Sequence, residues 1–137
     1  MEDGLALTQQ LRERGIVGDR DLVAVGDRLI TAVTLAELSV GPLVATDDAE
    51  RAARQAHVQQ AEADFDPLPF DAAAARAFGR VAASLRKAGR KPAARAYDAM
   101  IAATAVANGL PVYTCNPAGF SGIDGLTVVA VPVPPAP

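Results

Sequence analysis

Cysteine, histidine and aromatic residues are scarce in this chain, and each scarcity removes a class of function. With Cys115 as the single cysteine no intrachain disulfide can form, and with His57 as the single histidine a zinc site cannot be assembled from thiolates and imidazoles. His57 lies in a stretch rich in Gln and Ala, without the partners a catalytic imidazole needs, and reads as a surface residue. Tryptophan is absent and aromatics make up 4% of the chain, so the core must be built from Ala, Val and Leu, the small aliphatic packing typical of helices on a sheet. A Gly-rich phosphate loop ending in Lys-Ser/Thr, a G-x-G-x-x-G following a strand and a G-x-S-x-G elbow are all missing. Apolar runs are broken well before a bilayer-spanning length, and the start shows no charged segment followed by an apolar one, so a cytosolic location is expected.

Positive charge is not in excess. Thirteen basic against 16 acidic residues give a formal charge of −3, which argues against binding nucleic acid by bulk electrostatics. The charges are nevertheless segregated. Arg76, Arg80, Arg86, Lys87, Arg90, Lys91 and Arg95 follow one another with no acidic residue between them, while Asp47, Asp48, Glu50, Glu62, Asp64 and Asp66 cluster earlier. A basic stretch of this kind is either a solvated helix face or a track for phosphates.

What is present is enough apolar material, 50% of 137 residues, for one domain with a real core. Leu5 to Leu11 has helical spacing, ended by Gly15 and Gly18, and a short strand is possible at Leu22 to Val25. Leu29 to Val33 reads as a buried strand that runs into a helix at Thr34, where Thr34-x-x-Glu37 has the spacing of a capping box. Asp47-x-x-Glu50 predicts a second helix start, running to about Ala63, after which Pro67 and Pro69 require an extended link. Asp71 caps a helix whose Ala74, Phe78, Val81 and Leu85 form one apolar stripe, with Arg76 and Arg80 on another face and Gly89 as the stop. Beyond Pro92 a helix is expected from near Ala94 to Asn108, then strands at Leu110 to Thr114 and Leu126 to Val131. The alternation predicts an α/β domain with a parallel sheet covered by helices on both faces. It occupies residues 1–131, with an atypical part at 1–28, and residues 132–137 form a Pro-rich tail.

Carboxylates are the remaining candidates for chemistry. Glu37 follows the first strong strand, and Asp98 opens the most hydrophobic helix of the chain, so both fall at the carboxyl edge of a parallel sheet, where α/β ligand sites gather. Each also has an ordinary explanation, Glu37 as the partner in a capping box and Asp98 as a carboxylate in a helix's first turn. Asp124, in Gly-Ile-Asp-Gly, reads as a turn residue.

Several segments together carry a family resemblance. Ile30-Thr31-Ala32-Val33-Thr34-Leu35-Ala36-Glu37-Leu38, Pro69-Phe70-Asp71, Tyr97-Asp98-Ala99-Met100-Ile101-Ala102-Ala103-Thr104-Ala105, Leu110-Pro111-Val112-Tyr113-Thr114-Cys115-Asn116-Pro117 with Phe120, and Gly122-Ile123-Asp124-Gly125-Leu126 follow in order. In order and spacing they resemble the VapC-type toxin branch of the PIN-domain family, from about Leu29 to Val131. The resemblance implies a PIN-like fold and a metal-dependent endoribonuclease, the toxin of a type II toxin–antitoxin pair, cleaving RNA phosphodiesters with Mg²⁺ or Mn²⁺. On it, Glu37 and Asp98 are metal ligands, Asn116 and Thr114 belong to the catalytic site, and Arg86, Arg90 and Arg95 meet RNA phosphates. A homodimer and a small antitoxin covering the acidic site, with an Arg against Glu37 and Asp98, are implied as well.

The chain departs from the family pattern twice. The first 28 residues contain no apolar-apolar-Asp-Thr/Ala-Ser strand, and Gly119 stands before Phe120 where the family usually offers an Asp. Asp27 is not assigned to the site, because Leu22 to Val25 lies too near the next strand for a parallel crossover. The departures leave a second reading open, a catalytically impaired PIN-like module that mainly binds an antitoxin or another protein.

Overall fold

The computed structural model describes residues 23–25 and 29–131. The expected helix at Leu5 to Leu11, Leu22, Asp27 and the Pro-rich tail lie outside the described residues. Strand β1 (Leu29–Thr31) passes without a loop into helix α1 (Ala32–Val40), and a 3-10 turn (Gly41–Val44) leads to α2 (Asp48–Asp64). Strand β2 (Asp66–Leu68) and α3 (Ala72–Lys87) follow, then a 3-10 turn (Pro92–Arg95) and α4 (Ala96–Ala107). Strand β3 (Val112–Thr114), a 3-10 turn (Pro117–Phe120) and β4 (Val128–Ala130) complete the described chain.

The caps explain most of these boundaries. Asp47 accepts the Glu50 amide at 2.7 Å and Asp71 the Ala74 amide at 3.0 Å, as their spacing predicts. The start of α1 differs from expectation. Thr31 is the N-cap, its hydroxyl accepting from the Thr34 N–H at 3.0 Å, so the helix begins one turn before the Thr34-x-x-Glu37 box. Thr34 is buried, shares a 3.1 Å hydrogen bond with the Thr31 hydroxyl and donates to the Val23 carbonyl at 3.4 Å. A buried hydroxyl costs free energy unless it is paired, and this pairing holds the root of α1 against the sheet. The segment with Pro67, expected only as a link, forms β2 and pairs in parallel with β1, Ile30 facing Pro67. Proline is tolerated there because, among the described residues, β2 pairs with β1 alone and so lies at the sheet edge.

Strands β1 and β2 are parallel, as are β3 and β4. Between the two pairs lies Val23–Val25, with Ala24 bridged in antiparallel sense to both Ile30 and Tyr113. Ala24 exchanges both backbone hydrogen bonds with Tyr113, and the Val25 N–H donates to the Leu29 carbonyl at 2.9 Å. Among the described residues the order is therefore β2, β1, 23–25, β3, β4. A close antiparallel return resolves the objection that this segment lies too near β1 for a parallel crossover.

Alternation along the strands sorts the core into two layers. Ala24, Ile30 and Tyr113 pack with Leu38, Val58, Ala61 and Phe65 beneath α1 and α2. Val23, Val25 and Val112 pack with Ala77, Val81, Leu85, Ile101 and Ala105 beneath α3 and α4. The stripe predicted for α3 is confirmed at Ala74, Val81 and Leu85, with Ala77 more buried than Phe78. No helix among the described residues is long and apolar enough to cross a membrane.

Candidate active site

The carboxyl ends of β1 and β3 and the start of α4 open onto the same edge of the sheet. Glu37 stands on the second turn of α1, held there by the Thr31 cap and the buried Thr34. Because the Thr34 N–H is bonded to Thr31, Glu37 is not the reciprocal partner of a capping box. Its side chain instead lines a groove of about 500 Å³ together with Ala93, Arg95, Ala96, Tyr97 and Asp98. Asp98 lies in the first turn of α4, where a helix dipole favours a negative charge, and just beyond it Ala99 and Ile101 to Ala105 are fully buried. The apolar body of α4 therefore fixes where Asp98 can stand.

The third contribution comes from the segment after β3. Thr114 is buried and its hydroxyl accepts the Asn116 N–H at 3.0 Å, which fixes the backbone entering the 3-10 turn. Gly119 in that turn is closely surrounded. A Cβ on it would lie 2.8 Å from Asp98 Oδ2 and 3.4 Å from both Arg95 Nη1 and Asn116 Nδ2. Asp98, Arg95 and Asn116 thus converge on the bare Cα of the position where the family pattern usually offers an Asp. Arg95 Nη1 lies 3.9 Å from Asp98 Oδ2, and both side chains are about one third exposed. Burial raises the Asp98 carboxyl above its ordinary pKa, and the Arg95 charge offsets part of that rise.

Of the candidates read from sequence, Glu37, Asp98 and Arg95 line one groove, and Asn116 meets Asp98 and Arg95 across Gly119. Thr114 is placed behind Asn116 rather than in the groove wall. Arg90 donates to the Ser121 carbonyl at 3.1 Å and to its hydroxyl, and Arg86 is exposed in the last turn of α3; neither lines the groove. Asp124 lies in a turn between Gly122 and Gly125, both at positive φ, and His57 is exposed on α2. Tyr97 is not among the candidates read from sequence, yet its exposed ring lines the groove; its place beside Asp98 is the signal that points to it.

Residues 11–126 match the PIN domain. The chain belongs to the PIN-domain family. It is 39% identical over 112 residues to Ribonuclease VapC5 of Mycobacterium tuberculosis, covering 81% of this chain and 80% of that protein. Ribonuclease VapC1 of Rickettsia felis is 29% identical over 119 residues, 87% of each chain. Among solved structures, VapBC-5 of Mycobacterium tuberculosis, a member of the VapBC family of toxin–antitoxin systems, superposes with a TM-score of 0.65 at 39% identity. That match covers 74% of this chain and 79% of the other. The likeness extends to the parallel strands and flanking helices, and so confirms the α/β PIN-like fold read from sequence.

PIN-domain nucleases of this branch are typically metal-dependent, and the donors present bear on which ion suits them. Among the described residues no three His, Cys, Asp or Glu side chains gather closely enough to cage an ion. Two carboxylates with a neighbouring amide do fit Mg²⁺, which keeps several waters and needs only one or two carboxylates in addition to substrate phosphate. The hard oxygen donors exclude a thiolate-type centre.

Proposed function

We infer that the chain is a VapC-type ribonuclease toxin of a type II toxin–antitoxin system, cutting RNA phosphodiesters at the groove formed by Glu37 and Asp98. The observation that carries this reading is the meeting of two carboxylates from separate helices at the carboxyl edge of a PIN fold. Family membership and the relatives' ribonuclease character support it.

Glu37 and Asp98 would hold Mg²⁺ or Mn²⁺, whose charge neutralises the scissile phosphate and lowers the pKa of water. The protein's own part is placement. Arg95 draws a phosphate toward Asp98 and neutralises it there. Asn116 offers an uncharged amide next to Gly119, where Asp98 and Arg95 also converge, its backbone held by Thr114. Arg86 and Arg90 extend a weaker basic track away from the groove, Arg90 remaining tied to Ser121. A small antitoxin partner belongs to the proposal, supported by a solved relative that is a member of the VapBC family of toxin–antitoxin systems, and a cytosolic homodimer completes it.

The test is cleavage of single-stranded RNA with Mg²⁺ or Mn²⁺, with and without Asp98→Asn. Cleavage should need the cation and disappear in the variant, and robust cleavage in excess chelator would overturn the reading. Gly119 and the lack of a third clustered acid among the described residues favour one alternative, an impaired module that keeps only antitoxin binding. Such a module would bind its antitoxin yet show no saturable Mn²⁺ binding.

A further inference from the structure

We propose that Tyr97 is a stacking platform for the nucleobase adjoining the phosphate held at Glu37 and Asp98, an inference that rests on the ribonuclease reading. Tyr97 is 60% exposed although it belongs to the first turn of a helix whose following turns are buried. Val40, Leu43 and Val44 are exposed too, but none of them lines the groove. Phe70, also near the surface, is engaged edge-on with Phe78 at 6.4 Å between ring centroids, the one aromatic pair among the described residues.

The groove around Tyr97 has the two-part character of a nucleotide. Glu37, Arg95 and Asp98 form a charged part, and Tyr97 with the small side chains of Ala93 and Ala96 forms an apolar part that no bulky side chain among the described residues fills. A cation with six waters occupies on the order of 200 Å³ at about 30 Å³ per water. The groove of about 500 Å³ therefore has space left beside the carboxylates. Tyr97 and Asp98 are consecutive, so their Cα atoms are about 3.8 Å apart while their side chains diverge by roughly 100° around the helix. That divergence sets the ring beside the carboxylate, where a base lies relative to its own phosphate. Every base has a π-face, so such a platform gives affinity without reading sequence, and it gives it in a chain whose net charge of −3 does not attract RNA.

The native chain has no tryptophan, so Tyr97→Trp creates a single fluorescent reporter in the full-length protein. A ten-nucleotide mixed-sequence RNA should quench its emission, and an abasic ribose-phosphate decamer should not. By anisotropy with the labelled RNA, Tyr97→Ala should lose roughly tenfold in affinity and Tyr97→Phe should retain it. Equal quenching by the abasic decamer, or full RNA affinity in Tyr97→Ala, would overturn the proposal. So would an Ala variant that loses affinity for an antitoxin peptide but not for RNA, which would mark Tyr97 as a protein contact. Cleavage of the same RNA with Mg²⁺ separates the two levels. Cleavage without base-dependent quenching rejects the platform alone. Quenching without cleavage keeps the platform and rejects the nuclease reading, and the absence of both rejects both.

Discussion

The two walls of the candidate site are built on different principles, and the first of them lines the groove. Glu37 and Asp98 stand on helices whose other faces are sealed into the two layers of the core, so burial of Leu38 on α1 and of Ile101 on α4 dictates where the carboxylates stand. The second wall is a short 3-10 turn after β3 that meets the first at Asp98, held by the Thr114 hydroxyl and bringing an amide and a bare Cα. The first wall supplies charge on a rigid scaffold. The second supplies space, and Arg95 reaches into it toward Asp98. Two carboxylates and a neighbouring guanidinium leave one unit of negative charge, so less repulsion is stored before any ion arrives than where several carboxylates converge.

The largest effect should come from the charged wall. Glu37→Gln and Asp98→Asn should each lower cleavage by on the order of a hundredfold or more, with melting temperatures showing that the fold persists. A variant that cleaves normally would detach that wall from the chemistry. The second wall is probed by a pair of substitutions at Gly119. Gly119→Ala adds a Cβ 2.8 Å from Asp98 Oδ2 without adding charge, and should weaken Mn²⁺ binding as Asp98 turns aside. Gly119→Asp adds a carboxylate beside Arg95 and should tighten Mn²⁺ roughly tenfold, measured by calorimetry. If both variants behave alike, space rather than charge governs this wall.

Smaller effects should separate scaffold from site. Thr31→Val removes the N-cap of α1 and a partner of buried Thr34, and should cost about 1–2 kcal/mol in denaturant unfolding. The smallest expected effect is on stability in the metal-free protein. Burial raises the Asp98 pKa, so the folded chain holds that proton more tightly than the unfolded one and the ionised carboxylate opposes folding. Asp98→Asn should therefore raise the melting temperature slightly at pH 7, and the gain should fade as pH drops through the carboxyl range. A melting temperature unchanged at both pH values would remove this opposition between function and stability.

Much of the fold was legible because its signals are local. Asp47 and Asp71 cap helices where their spacing says, and the apolar stripe of α3 is where its period puts it. What was less legible depends on tertiary partners. Thr31 and Thr34 are one turn apart and each could cap a helix; the choice is made by the Val23 carbonyl, which gives the Thr34 hydroxyl a partner across the sheet. Strand β2 is hidden in the sequence by Pro67, which an edge strand tolerates, and β2 lies at the edge among the described residues. The central place of Val23–Val25 and its antiparallel direction follow from bridges to Ile30 and Tyr113, which no local pattern encodes. At the site, Glu37 and Asp98 could be named from sequence, whereas the convergence of Asp98, Arg95 and Asn116 on Gly119 needed coordinates.

Whether Glu37 and Asp98 act as one site is measured most directly by a double-mutant cycle on Mn²⁺ affinity. Titration of the native chain, Glu37→Gln, Asp98→Asn and the double variant should show one saturable ion per chain, with each single substitution losing nearly as much as both together. Losses that simply add, or native-like binding in either single variant, would mean that the two carboxylates do not share an ion.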